Sequence, residues 1–222
     1  MSETKPKPNG PKGEIKFNIQ LNEEQKIAKS IILDNEITIV TGKAGTGKTA
    51  LLAQVALDLL FKKRVEKVFI TRPTQMMGEN LGFLPGSLEE KIDPYLDPFK
   101  ENFYKCYDRL KIDDILAKKQ IEGFPIQFAR GKTIGNDCIL ICDEMQNATK
   151  HQMLGLLTRL GKGGKIIILG DNDQKDTKES YTGLSYVIDA HKHINEIQWV
   201  KLKENHRSDL VGKILDYEYS NK

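Results

Sequence analysis

Short apolar runs alternate with amphipathic segments along most of the chain. The runs of strand length lie at 36–40, 67–71, 137–142, 165–169 and 196–200. The segments with helical periodicity lie at 22–33, 48–60, 149–159 and 181–190, and a last one follows residue 205. The run at 139–142 is apolar on both faces, which is typical of a central strand in a parallel sheet. The alternation predicts an α/β fold in three layers, with a parallel central sheet and right-handed strand–helix–strand units.

Local signals add detail to this pattern. Asn22 and Gln25 have the spacing of a capping box at the start of the first helix. Trp199, in the last predicted strand, is expected in the core. The apolar faces of the first and last helices are expected to pack inward through Ile27, Ile31 and Ile32 and through Leu210, Val211, Ile214 and Leu215.

The stretch 73–127 interrupts the alternation between the second and third predicted strands. Ser87 and Glu90 predict a short capped helix that ends before Pro94. Asp97 followed by Pro98 predicts the start of another helix. We therefore expect an insertion of helices and loops after the second strand.

The composition is that of an ordinary globular protein, with 39% hydrophobic and 29% charged residues. No apolar run is long enough to cross a bilayer. The segment 1–16 is rich in Lys and Pro, and it is expected to be a flexible tail that precedes one domain at 17–222. Three cysteines, two of them inside an apolar strand, predict buried thiols in an intracellular, cytoplasmic protein. The net charge of +3 neither indicates nor opposes a nucleic-acid partner.

A Gly-x-x-x-x-Gly-Lys-Thr motif lies between the first predicted strand and the next helix. This context is that of a Walker A loop, in which backbone N–H groups surround a phosphate at a helix N-terminus. The Lys48 ammonium would reach the β- and γ-phosphates, and the Thr49 hydroxyl would bind Mg²⁺. The predicted nucleotide-binding residues of the motif are Gly42, Lys43, Ala44, Gly45, Thr46, Gly47, Lys48, Thr49 and Ala50.

Acidic and amide side chains follow two further predicted strands. Asp143 ends the third strand at the sheet edge where α/β proteins bind ligands, so it is predicted to hold Mg²⁺, with Glu144 as the base for the attacking water. Gln174, after the fourth strand, is expected to bond the γ-phosphate or that water. Gln25 either reads the edge of adenine or only caps its helix. Because the acidic pair activates water, ATP hydrolysis is favoured over phosphate transfer to a small molecule.

Several motifs together resemble the PhoH-like family, which is related to the motor core of superfamily 1 helicases. The most specific is the block 78–95, which contains Leu-Gly-Phe-Leu-Pro-Gly and Lys-x-Asp-Pro-Tyr. Thr-Arg-Pro at 71–73, Ala-Arg-Gly-Lys-Thr at 129–133, Gly-Asp-x-x-Gln at 170–174 and His-Arg at 206–207 stand in the expected order. The resemblance covers roughly 20–220. The family usually has alanine where this chain has Met145.

The resemblance implies a RecA-like P-loop ATPase whose subunits form a ring, with a hexamer favoured. In such a ring an arginine enters the active site of the neighbouring subunit and raises turnover by about 10³–10⁵. Arg207 is the first candidate for this arginine, and Arg130 is the second.

The helicase-type order of the motifs implies action on single-stranded nucleic acid, with RNA favoured over DNA. Thr71, Arg72 and Arg130 are the candidate contacts to the strand. The candidate aromatic rings for base stacking are Phe83, Tyr95 and Phe99. An alternative is a nucleotide-dependent switch or assembly module that acts through a protein partner such as a nuclease.

Overall fold

The computed structural model describes residues 15–73, 88–126, 133–177 and 179–206, together with 210, 213 and 217; for 88–95 it describes the backbone only. Parallel strands form one six-stranded sheet in the order β3-β2-β4-β5-β1-β6. The strands are β1 Ile37–Gly42, β2 Lys67–Thr71, β3 Ile121–Gly123, β4 Cys138–Cys142, β5 Lys165–Gly170 and β6 Ile197–Leu202. The α-helices are α1 Glu23–Asp34, α2 Lys48–Phe61, α3 Leu88–Cys106, α4 Arg109–Ala117, α5 Lys150–Leu157 and α6 Gly183–His191.

The predicted strands are confirmed, with ends that shift by at most two residues. The short edge strand β3 was not predicted, because its run is too brief to show a period. Its position depends on β2: the Val68 N–H donates to the Gln120 carbonyl oxygen at 2.8 Å, and the Phe124 N–H donates to that of Ile70 at 2.9 Å. Pairing with a neighbour therefore decides this strand, and local sequence does not.

Helices cover both faces of the sheet. On one face α1, α2, α3 and α4 enclose a core that contains Val40, Leu51 and Phe103. On the other face α5 and α6 enclose a core that contains Leu140 and Val187. Every residue of α2 from 51 to 60 is buried, because helices and the sheet surround it. The predicted three-layer α/β architecture is confirmed.

The start of α1 is as predicted, but its inward face is not. The Gln25 N–H donates to Asn22 Oδ1 at 2.7 Å, and the Asn22 N–H donates to Gln25 Oε1 at 3.1 Å, which completes the capping box. Ile27 is 61% exposed, whereas Ala28 and Ile32 are fully buried. The prediction for Ile27 was wrong because the buried stripe follows positions 25, 28 and 32.

The predicted insertion of helices after β2 is confirmed, but its first helix differs from the prediction. One continuous helix, α3, passes through Pro94 and Pro98, where the sequence predicted a break between two helices. A proline inside a helix costs about 3 kcal/mol. Phe99 and Phe103 are fully buried, and burial of such a side chain contributes about 1.5–3 kcal/mol each, which offsets much of that cost. Helix α4 was not predicted.

Three further expectations concern exposure. Trp199 is 40% exposed, against the prediction of a core position, because β6 lies at the edge of the sheet. In the predicted last helix, residues 210, 213 and 217 are helical, and Leu210 is exposed where burial was expected. Cys106, Cys138 and Cys142 are buried free thiols, as predicted.

Among the described residues, no helix has the length and apolar character needed to span a membrane. Most of the predicted 1–16 tail lies outside the described residues.

Candidate nucleotide site

The Walker A loop joins β1 to α2 at the carboxyl edge of the sheet. Gly47, the N-cap of α2, has a φ of 75°, which glycine adopts without steric cost. A Cβ at this position would lie 2.5 Å from Gln25 Nε2. At Gly42 a Cβ would lie 2.7 Å from the carbonyl oxygen of Leu202 in β6. Close packing around the loop therefore requires glycine at both ends of the motif.

Lys48 points into the curl of this loop. Its Nζ donates to the carbonyl oxygens of Gly42 and Lys43. Thr46 closes the curl, since its Oγ1 donates to the Lys43 carbonyl oxygen at 2.9 Å. Thr49 is half-buried in the first turn of α2, where the unpaired N–H groups and the helix dipole favour an anion. An ammonium, a hydroxyl and a helix N-terminus thus lie together, as a Mg²⁺-bound triphosphate requires.

Asp143 lies directly after β4 and is 5% exposed. Burial away from water and the negative charge of Glu144 raise its pKa to about 6, while the charges of Arg72 and Lys48 act in the opposite direction. A buried carboxylate with a raised pKa is stabilised in its ionised form by a bound cation. Asp143 and the hydroxyl of Thr49 are oxygen ligands of the kind that Mg²⁺ prefers, so the site fits this ion.

The turn after β4 fixes the carboxylate of Glu144. Glu144 has a φ of 52°, which is uncommon for a residue other than glycine. Gln146 Nε2 donates to Glu144 Oε2 at 2.5 Å and lies 3.4 Å from the Gln174 carbonyl oxygen. Gln146 Oε1 accepts from the Asp171 N–H at 3.1 Å. Because Gln146 is 1% exposed, this side chain firmly connects Glu144 to the loop after β5.

Two polar side chains, those of Gln25 and His206, lie on the α1 side of the Walker A loop. Gln25 is buried, and its Nε2 donates to the Thr46 carbonyl oxygen at 3.1 Å. The His206 N–H donates to the Gly45 carbonyl oxygen at 2.9 Å. The His206 ring is exposed, and its Nε2 lies 3.4 Å from Gln25 Nε2 and 3.2 Å from Asn22 Nδ2. An amide and an imidazole therefore stand beside the phosphate loop.

The candidate nucleic-acid contacts are only partly in place. Thr71 is fully buried at the end of β2, so the predicted contact through its side chain is wrong. Phe99 is fully buried in α3, so it is not available for base stacking. Arg72 is partly exposed, and its charge acts on Asp143. Arg130, Arg207 and Phe83, and the side chain of Tyr95, lie outside the described residues.

Lys48 begins α2 after β1, and Asp143 and Glu144 follow β4, so all three lie at the carboxyl edge of the parallel sheet, where the charges of Lys48 and Glu144 act on Asp143. Gln174 is joined to them through Gln146. Two residues of the site, Gln146 and His206, received no role from the sequence. The only available signals were the place of Gln146 two residues after the acidic pair and that of His206 in the His-Arg motif, because hydrophobic periodicity says nothing about either.

A parallel sheet with a Walker A loop after β1 and an acidic pair after β4 defines a P-loop nucleoside triphosphatase fold. The family model "PhoH-like protein" matches residues 19–218. The chain therefore belongs to the PhoH-like family.

The relatives are longer than this chain. A PhoH-like protein of Mycobacterium leprae is 39% identical over 191 residues, which are 83% of this chain and 54% of that protein. A PhoH-like protein of Bacillus subtilis is 38% identical over 185 residues, covering 82% of this chain and 58% of its own. Protein PhoH2 of the same organism is 37% identical over 211 residues, which are 88% of this chain and 46% of that protein. The chain spans about half the length of these relatives.

Among solved structures, the Pif1 helicase from Candida albicans superposes with a TM-score of 0.51 at 20% identity. The match covers 90% of this chain and 44% of the helicase. At this identity the likeness concerns the fold alone, and it confirms the predicted P-loop architecture.

Proposed function

We propose that the protein is a Mg²⁺-dependent ATPase. The observation that carries this proposal is the position of Lys48, Asp143 and Glu144 at one edge of the sheet, after the ends of β1 and β4, with Lys48 inside the Walker A loop. In this proposal Lys48 and the backbone N–H groups bind the β- and γ-phosphates, and Thr49 and Asp143 hold Mg²⁺. The ion would neutralise charge on the phosphates.

Glu144 is the proposed general base. Its carboxylate would accept a proton from water as the oxygen attacks the γ-phosphorus and the bond to ADP breaks. The hydrogen bond from Gln146 would hold that carboxylate in place, and Gln174 would orient the water. The 2.5 Å contact between Gln146 and Glu144 supports this assignment.

Two substitutions test the hydrolytic roles. Lys48→Ala should abolish binding of the triphosphate, while Glu144→Gln should keep ATP affinity and lower turnover by about 10²–10⁴. Lys162→Ala, at an exposed lysine before β5, is the control and should behave as wild type. Equal loss of ATP binding in Lys48→Ala and Glu144→Gln would mean that the roles are assigned wrongly.

The adenine base is proposed to stack on His206, with Gln25 at its edge. The contacts of both residues with carbonyls of the phosphate loop support this position. His206→Ala should weaken ATP binding by about 5- to 100-fold, the range for loss of one base–aromatic stack, and should not affect inhibition by tripolyphosphate. His193→Ala, on an exposed loop, is the matched control. Equal loss of ATP and tripolyphosphate affinity would refute the stacking role.

ATP turnover is proposed to act on single-stranded nucleic acid, RNA in preference to DNA, within an oligomeric ring for which a hexamer is favoured. The order of the helicase-type motifs and the partly exposed Arg72 at the end of β2 support this part. The test is the ATPase rate with poly-ribonucleotide or single-stranded DNA at several salt concentrations, with the mass of the assembly measured in parallel. No stimulation and no salt-sensitive binding would reject it.

Arg207 is proposed to act in the neighbouring subunit's site. Arg207→Ala subunits should then recover part of their activity when mixed with Lys48→Ala subunits. Failure at every mixing ratio would reject the role.

The alternative is a nucleotide-dependent switch that acts through a protein such as a nuclease. It would be favoured if the bound protein partners differ between the ATP and ADP states while nucleic acid has no effect.

A further inference from the structure

A cavity of about 460 Å³ lies beside the Walker A loop, on the α6 side of the sheet. It is bordered by the ends of β1, β5 and β6. The Gln25–His206 pair lies on the α1 side, so this cavity is separate from the proposed adenine position. Its volume is within the range of about 300–1,000 Å³ that small-ligand sites have. We call it the Trp199 pocket. Its lining includes Trp199, Lys201, Lys203, Asp171 and Asn172, and also Asp173 and Lys43 of the Walker A loop.

The indole of Trp199 is exposed yet fixed in orientation. Its Nε1 donates to Thr41 Oγ1 at 2.8 Å, and the ring of His191 packs against it edge-on, with centroids 6.1 Å apart. With 40% of the residue exposed, part of the indole is open to a flat ligand. A rigid aromatic side chain that is held in this way is a ready surface for stacking of a nucleobase, which contributes about 1–3 kcal/mol.

The groups around the indole fit a nucleotide. Lys201 lies two residues after Trp199, on the same face of β6, and Lys203 follows at the end of the strand; both are exposed. Asp171 is 6% exposed, and its Oδ2 has no hydrogen-bond partner among the described residues. Asn172, next to it, is exposed at the pocket. Ammonium groups would meet phosphates, and the carboxylate and amide would meet the polar edge of a base.

We propose that the Trp199 pocket binds one nucleotide of a single-stranded nucleic acid, with the base on the indole and the backbone phosphates at Lys201 and Lys203. This inference deepens the proposed function and rests on it. A nucleic-acid strand fits better than a protein partner, because lysine is depleted in protein–protein interfaces and common at phosphate contacts.

The pocket is also connected to the nucleotide site. Thr41, which holds the indole, directly precedes Gly42 of the Walker A motif. Trp199 and Thr41 lie on adjacent, hydrogen-bonded strands. A base that shifts the indole therefore acts on the strand that carries the phosphate loop, which gives strand binding a direct route to ATP turnover.

Trp199 is the only tryptophan of the chain, so its fluorescence reports on this pocket alone. The probe is an oligouridylate of about 15 nucleotides, close to the upper site size of single-strand binders, titrated into the full chain without nucleotide. Saturable, salt-sensitive quenching that tripolyphosphate does not reproduce is expected. The same titration with oligodeoxythymidylate compares RNA with DNA.

Variants are measured by anisotropy of a labelled oligouridylate. Trp199→Leu should weaken binding by about 5- to 100-fold. Lys201→Gln, a surface change that leaves the core intact, should reduce the slope of log affinity against log salt by about 1. Lys118→Gln, at the exposed C-cap of α4, is the matched control and should leave both values unchanged.

The outcomes separate the pocket from the proposed function. If the oligonucleotide binds but the fluorescence stays constant and both variants bind normally, the proposal for the Trp199 pocket is refuted, while the proposed nucleic-acid function is not. If the wild type binds no strand at low salt, the nucleic-acid function fails as well. If fluorescence follows protein concentration and not oligonucleotide, the pocket is an interface between copies of the chain, and the proposal is overturned.

Discussion

Replacement of Gln146 by methionine tests whether the turn after β4 positions the general base. Gln146 is almost fully buried and bonds both Glu144 and the loop after β5. Methionine has an unbranched side chain of similar length and adapts to irregular space, so it fills the same volume without the amide. The substitution removes the hydrogen bonds and leaves the packing largely as it is.

Two hydrogen bonds set the expected magnitude. The Asp171 N–H, now 3.1 Å from Gln146 Oε1, would lose its acceptor, and an unsatisfied buried donor costs about 1–3 kcal/mol of folding stability. The bond to the ionised Glu144 is of the charged kind, which contributes about 1.5–3 kcal/mol. If that contribution is lost from the transition state, turnover falls by about 10- to 100-fold. Binding of ATP, which depends on the Walker A loop, should change by less than about threefold.

The assay is steady-state ATP hydrolysis together with the Kd of a fluorescent ATP analogue and unfolding in urea. Gln54→Met is the matched control. Gln54 is also a buried glutamine, 3% exposed, and its Nε2 donates to the Ile19 carbonyl oxygen at 2.6 Å, away from the site. Both variants should lose stability, but only Gln146→Met should lose turnover. Wild-type turnover in Gln146→Met, or an equal loss in Gln54→Met, would refute the positioning role.

The other predictions concern stability. Because the folded-state pKa of Asp143 is raised to about 6, the metal-free protein in EDTA should lose about 2 kcal/mol as pH rises from about 4 to 6, where the folded state binds more protons than the unfolded state. Asp143→Asn should show a shallower pH dependence in urea unfolding; the contribution of Asp171, whose pKa is also raised by burial, should remain, and an identical pH profile would contradict the assignment. Lys63→Gly should stabilise the protein by about 0.5–1 kcal/mol, because Lys63, just after α2, has a left-handed φ of 53° that glycine adopts without steric cost. A lower melting temperature of this variant would argue against backbone strain at Lys63. Asp58→Asn should cost about 1–3 kcal/mol, because buried Asp58 pairs with Lys29 at 3.2 Å and Lys62 at 2.9 Å. The same loss of stability should be measured in urea unfolding at 1 M NaCl, because salt screens buried ion pairs only weakly. If the loss disappears at high salt, Asp58 forms only a solvent-screened surface pair.

Local signals explain why much of the fold was predictable. The β-branched runs and the capping box of Asn22 and Gln25 act within a few residues, so their strands and helix were found with small errors at the ends. Helix α3 was predicted in two pieces because the local effect of Pro94 and Pro98 is to stop helices. Packing of Phe99 and Phe103 outweighs that effect, and such packing is not visible in a window of sequence.

The sequence by itself determined the phosphate loop and the acidic pair, because glycine spacing and the place of a carboxylate after an apolar run are properties of neighbouring residues. Only the tertiary structure decided the rest of the site. His206 reaches Gln25 across 181 positions of sequence, because β6 returns beside β1. Gln146 joins Glu144 to the loop after β5, because β4 and β5 are adjacent. Trp199 is exposed because its strand lies at the edge of the sheet. Strand order is a global property, fixed by which buried faces pack together, and no local pattern contains it.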